Sequence, residues 1–174
     1  MNRSASLALL AGVLVLGAVG CGAVPPDEGD PDSFIALTRD FQDFQSWPSV
    51  TIDGEASGTI HTAGKRTVYY NKTAEPGATE FPVGTIIVKT MATGEIFARA
   101  KRGPNYNVRG AVGWEWFELK TAATGTYGIA WQGITPPLGA CYGGIVGGAC
   151  NDCHKAAAMN DFVFSQVLQL QPAP

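Results

Sequence analysis

From residue 58 to residue 131 the chain alternates apolar and polar residues with a period of two, and turn-forming residues interrupt the alternation at short intervals. Successive side chains of a β-strand point to opposite faces, so this period predicts strands, here at 59–61, 66–71, 85–89, 96–101, 114–120 and 127–131. Gly64, Glu75-Pro76-Gly77, Thr93-Gly94, Arg102-Gly103-Pro104 and Thr124-Gly125 fall where an antiparallel meander has to reverse. No helical run separates the strands, which argues against a βαβ architecture and against an all-helical fold. The expected fold class is mainly β (α+β): an antiparallel β-sheet domain with an N-terminal helix and a short helix near the C-terminus.

The N-terminal helix is read from Phe34, Leu37, Phe41, Phe44 and Trp47, which recur at intervals of three and four between residues 32 and 47. Asp32 or Ser33 would cap it, Pro48 would end it, and its apolar face would pack onto the sheet. A second short helix is expected from Lys155 to Met159, before residues 162–165. Residues 1–20 carry Arg3 followed by an apolar run from Leu7 to Val19, too short to span a membrane comfortably; they read as an export signal. The run ends in Ala18-Val19-Gly20-Cys21, which resembles a lipobox, although Ala18 departs from the usual Leu. Cleavage there would leave Cys21 as a lipid-modified N-terminus and a membrane tether. The mature domain is thereby expected in the periplasm or cell envelope, or secreted if the lipobox is not used. Residues 21–31, rich in Pro, Gly and Asp, read as a flexible tether, and residues 32–174 as one domain. A net charge of -3 provides no basic surface for a phosphate backbone, so nucleic acid is a poor partner.

The chemistry is concentrated in Cys150-Asn151-Asp152-Cys153-His154, the attachment pattern of a c-type haem. Two thiols separated by a helical turn match the two porphyrin vinyl groups, and the histidine directly behind them is placed to become an axial iron ligand through a neutral ring nitrogen. The competing readings of Cys-x-x-Cys are a redox dithiol, a disulfide or half of a zinc site. A zinc site would need a second ligand pair, and only Cys21, Cys141 and His61 remain, at irregular spacings. A thioredoxin-like dithiol would need a βαβ setting. One covalently bound haem, held by Cys150 and Cys153 with His154 on the iron, is therefore the expectation. Cys141 is left over: it is a buried thiol, or it pairs with Cys21 if that residue carries no lipid. For a second strong axial ligand the mature chain offers His61, Met91 and Met159. None stands out, so an open or weakly filled sixth position is expected.

Six blocks in order, at 66–71, 81–89, 100–104, 113–116, 150–155 and 161–165, resemble the cytochrome P-460 family, related to cytochrome c′-beta, and span residues 58–165. The resemblance implies a five-coordinate c-type haem on a β-sheet scaffold, often in a homodimer. In the enzymatic members it implies a lysine bonded to the porphyrin, oxidation of hydroxylamine or nitric oxide, and electron transfer to a periplasmic cytochrome. By position Lys89 matches the cross-linking lysine and Arg66 a distal-pocket arginine; on the residues alone Lys89 reads as a strand-end lysine reaching solvent, and Arg66 equally as an exposed strand arginine. Where an enzymatic member has a carboxylate this chain has Phe97, with Glu95 two positions earlier. An aromatic cap suits gas binding, whereas a carboxylate suits oxidation, whose protons need an acceptor. Phe97 reads also as core packing, and Tyr69, Trp114 and Trp116 as core or pocket wall.

Overall fold

The computed structural model describes residues 33–53, 64–137, 141–142, 145–146, 149–165 and 167–171. The export signal, Cys21, the tether and the strand expected at 59–61 with His61 lie outside the described residues. Six strands form one sheet: β1 (Ser49–Ile52), β2 (Arg66–Tyr70), β3 (Ile86–Met91), β4 (Ile96–Lys101), β5 (Trp114–Thr121) and β6 (Tyr127–Gly133). Each pairs antiparallel with the next in chain order, so the sheet is a meander. The mainly β class is as expected, and β2 to β6 fall within two residues of the predicted strands. Two two-residue strands, β7 (Cys141–Tyr142) and β8 (Ile145–Val146), pair with each other ahead of an α-helix, α1 (Ala149–His154).

The expected N-terminal helix over 32–47 is corrected. Two 3-10 turns, Thr38–Phe41 and Phe44–Ser46, replace it. The reason is competing hydrogen bonds, one local and two that reach across the fold. The Asp40 carboxylate accepts the Leu37 N–H at 2.8 Å, which closes a short turn. Gln42 turns its side chain to the sheet edge, where its Nε2 donates to the Tyr127 carbonyl at 2.8 Å and its Oε1 accepts the Tyr127 N–H at 3.1 Å. The apolar stripe still does its packing work, because Phe41 and Phe44 are fully buried, while Leu37 stays exposed. Strand β1, directly after Pro48, was not expected; its four residues show half-buried side chains at alternate positions only.

Alternation divides the sheet into two faces. On one, Ile86, Val88, Ala98, Ala100, Phe117 and Leu119 pack with Phe41 and Phe44. Phe44 meets Tyr69 edge-on at 5.1 Å, and Phe41 meets Phe117 at the same separation. On the other face lie Val68, Ile87, Trp114 and Trp116, covered by Val163 and Leu168 of the C-terminal segment. That second face carries Arg66, Lys89, Phe97, Trp114 and Trp116, whereas Tyr69 belongs to the first.

Candidate functional site

The register aligns two cross-strand rows on the second face. One runs Val68, Lys89, Phe97, Glu118, Trp131 across β2 to β6; the next runs Tyr70, Ile87, Arg99, Trp116 across β2 to β5. Arg66 stands on the same face, opposite Met91. Thus Lys89, Arg66 and Phe97 share a face with Trp116 and Arg99, which both touch His154. The Lys89 Nζ lies 5.6 Å from the centre of the Phe97 ring.

The Cys-x-x-Cys-His turn is α1, which carries Cys150, Cys153 and His154 in one helical segment and continues into a 3-10 turn, Lys155–Asn160. That continuation is the second helix expected after His154. Both thiols are half-buried and unbridged. Asn151, between them, pins the turn to the sheet. Its Oδ1 accepts from Asn107 Nδ2 at 2.8 Å, Trp116 Nε1 at 3.0 Å and the Ala111 N–H at 3.2 Å. Its Nδ2 donates to Asn107 Oδ1 at 3.1 Å and to the Ile134 carbonyl at 3.2 Å. Gly110 makes room for this junction: a Cβ there would come within 2.5 Å of the Asn151 carboxamide.

After the 3-10 turn the chain reverses through Asp161 and Phe162, both left-handed at φ 46° and 63°. A bulky residue such as Phe162 adopts this region only under outside constraint. The constraint is visible. The Asp161 carboxylate takes the Lys101 ammonium at 2.7 Å and the Phe81 N–H at 2.9 Å, and the Phe162 N–H bonds to the Ala157 carbonyl at 2.8 Å. The reversal brings the Phe162 carbonyl to 2.7 Å from His154 Nδ1. It also lies 2.7 Å from Arg99 Nη1, itself 3.2 Å from Nδ1. A guanidinium only donates, and a carbonyl only accepts. Were Nδ1 the acceptor from Arg99, its lone pair would face the carbonyl oxygen at 2.7 Å, a repulsive contact. In the neutral ring the proton therefore belongs on Nδ1 and the lone pair on Nε2. Trp116 at 4.5 Å and Phe164 at 5.1 Å flank the ring.

The charges are strongly biased. Lys89 is pushed down from 10.5 to about 7, first by burial and then by the positive charges of Arg99 and Arg66, against weaker opposing effects from Cys150 and Glu95. Burial draws Arg99 down to about 9, with Asp161 opposing, and leaves it a cation at neutral pH. Burial also pushes the Cys150 thiol up to about 11. These mutual influences put Lys89, Arg66, Arg99 and Cys150 in one electrostatic neighbourhood.

Of the candidate sixth ligands, Met91 is buried in β3, Met159 is 97% exposed, and His61 is outside the described residues. The Cys141 side chain is likewise outside them. Sequence reasoning missed Arg99, Asn151, Asp161 and Glu118. The last of these is a carboxylate directly across from Phe97 on the same face; register, rather than any motif, reveals it. Among the described residues no group of three or more His, Cys, Asp or Glu side chains could hold a metal ion. Haem iron asks for less, since the porphyrin provides its equatorial ligands. Two unbridged thiols one helical turn apart and an imidazole with its lone pair on Nε2 are the donor set such a group needs, so these residues fit a c-type haem. A cavity of about 360 Å³ lies beside Glu80, Phe81 and Lys101, and Lys101 is already paired to Glu80 and Asp161. No helix among the described residues is long and apolar enough to cross a membrane.

Comparison of the chain with protein-family models, with curated proteins and with solved structures gives no match.

Proposed function

We propose that this chain is an exported mono-haem c-type cytochrome resembling cytochrome P-460, oxidising hydroxylamine, nitric oxide or both and passing the electrons to a periplasmic carrier. One observation above all supports the reading. The two unbridged thiols and His154, its Nδ1 held by the Phe162 carbonyl, sit against the sheet face on which Lys89, Arg66 and Phe97 converge. Cys150 and Cys153 would carry the thioether bonds and His154 the iron; the haem, when bound, supplies the redox centre and the position where a small nitrogen compound binds. The chain's own residues do the rest. Burial and the neighbouring cations draw Lys89 down to about 7, which suits its side chain to a place beside the porphyrin edge when a haem is bound. Arg66 offers a fixed positive charge to a nitrogen oxide. Phe97 excludes water, and Glu118 beside it is the carboxylate available to accept protons released on oxidation.

A second reading, a non-catalytic nitric-oxide-binding protein like cytochrome c′-beta, is favoured by Phe97 standing where a catalytic carboxylate would be expected. A simple electron carrier would need Met91 or His61 as sixth ligand. The optical spectrum of the reduced protein, matured in a host that assembles c-type cytochromes, separates the three. A strong red shift that disappears in Lys89→Arg marks the cross-linked enzyme, an ordinary five-coordinate spectrum the gas binder, and a sharp low-spin spectrum the carrier. Hydroxylamine turnover with an artificial acceptor then tests the reaction. A colourless protein, with no mass gain on the peptide holding residues 150–154, overturns the haem reading itself.

A further inference from the structure

We infer that Arg99 is a positioning residue for the axial imidazole: by sharing the Phe162 carbonyl with His154 and holding a positive charge against the ring, it makes that histidine a weak electron donor. The inference rests on the haem reading above and goes beyond it, since it concerns how the ligand is tuned.

A histidine that ligates a metal ordinarily gives its other N–H to a carbonyl or carboxylate, and that bond makes the ring a better donor. Here the carbonyl has two claimants at 2.7 Å, the Nδ1–H and the Arg99 Nη1–H. Its electron density is divided between them, so it polarises the imidazole less. The guanidinium nitrogen is also 3.2 Å from Nδ1, in a setting that screens poorly. Arg99 is buried and lies over Trp114 and Trp116, with its central carbon 4.9 and 5.9 Å from their ring centres. The Trp116 ring that supports the guanidinium also flanks His154, so charge and imidazole are held against one indole. The nearest counter-charge, Asp161, has both oxygens engaged by Lys101 and the Phe81 N–H. Arg66 adds positive charge to the same neighbourhood. A cation beside the ligand opposes imidazolate character and favours the less charged, reduced iron.

The test uses the haem-loaded protein and its Arg99→Met and Arg99→Lys variants. In Arg99→Met the equilibrium shifts toward oxidised iron by tenfold or more, a fall in midpoint potential of about 59 mV for a one-electron couple. The iron–imidazole stretching band of the reduced protein moves to higher frequency in the same variant. Arg99→Lys keeps the charge and retains most of the wild-type potential, which a role confined to packing would not produce. A purely structural role would lower the melting temperature of Arg99→Met and leave potential and band where they were, and that result overturns the inference. Should Arg99→Met fail to load haem, Arg99→Gln, which keeps a donor to the carbonyl without the charge, reads the same two quantities. A wild type that never takes up haem sinks the underlying reading; a loaded protein indifferent to the charge sinks this one alone.

Discussion

Asn151 shows how much a residue between two cysteines can carry. All of its hydrogen-bonding capacity is met inside the protein, by Asn107, Ala111, Trp116 and Ile134. Truncation leaves several of these buried groups without a partner, and an unmet buried donor or acceptor costs about 1–3 kcal/mol. Asn151→Ala should therefore lower stability by about 2–4 kcal/mol in denaturant titration, and Asn151→Asp, which cannot donate to the Ile134 carbonyl, by a comparable amount. Asp152, exposed at the neighbouring position, should tolerate alanine within about 0.5 kcal/mol. In the sequence the two residues looked alike, as spacers in a motif; only their sides of the helical turn distinguish them. Lys89 gives a second residue-scale expectation, in the haem-free variant Cys150→Ala/Cys153→Ala. Its folded value near 7 lies below the 10.5 of an unperturbed lysine. The unfolded chain thus binds more protons between those limits, and stability rises with pH across that window. At about 1.4 kcal/mol per unit the shift is several kcal/mol at face value. Lys89 keeps some solvent contact, so Lys89→Met should stabilise at pH 6 by about 1–3 kcal/mol. The gain should vanish by pH 10.5. A constant gain from pH 6 to 10.5 would show that the charge is not the cause.

At the scale of elements, β2 to β6 could be read from the alternation, because β2 to β5 carry buried residues, β6 covers part of its side chains, and the turn residues match their hairpins. Gly94 and Gly125, at φ +91° and +81°, sit in the two turns that Thr93-Gly94 and Thr124-Gly125 marked. The stripe from Phe34 to Trp47 was legible as a buried face but not as 3-10 turns, since intervals of three and four fit either and the deciding bonds, from Gln42 to Tyr127, span 85 residues. Strand β1 was missed because four half-exposed residues after a proline carry little periodic signal. What this segment contributes is mass in the core. Phe44→Ala removes a fully buried ring that touches Tyr69 and Tyr127 and should cost about 3–5 kcal/mol. Gln42→Ala leaves only the backbone ends of one exposed edge to water and should cost about 1 kcal/mol. If Gln42→Ala matched Phe44→Ala in a thermal melt, the carboxamide tie rather than the rings would be holding the segment.

Across the described residues, the two faces of the sheet are closed from opposite ends of the chain: one by the N-terminal aromatic residues, the other by the C-terminal segment that follows Cys150, Cys153 and His154. Motif spacing made Cys150, Cys153 and His154 legible. The residues that aim them were not, because Arg99, Asp161 and Phe162 meet only through folding. Their connection runs through an ion pair, Lys101 to Asp161 at 2.7 Å, with the two side chains 2% and 5% exposed. Glu80, at 3.0 Å, is the second carboxylate on Lys101 but is well exposed. Removing one member of a buried pair strands the other charge, which typically costs about 3–5 kcal/mol, whereas replacing both with apolar groups can be neutral. Asp161→Leu should therefore destabilise by about that range, reduced to the extent that Glu80 answers for the lost carboxylate. Lys101→Met/Asp161→Leu should recover much of the loss. The double variant is not expected to recover the site. Asp161 also accepts the Phe81 N–H and stands in the left-handed reversal that presents the Phe162 carbonyl to His154; leucine there satisfies neither demand. Stability and site geometry should thus part company, with the double variant melting near the wild type while its His154 environment, read from the haem spectrum, stays disturbed. Recovery of both together would mean that the charge pair, and not the backbone reversal it sits in, is what orients the histidine.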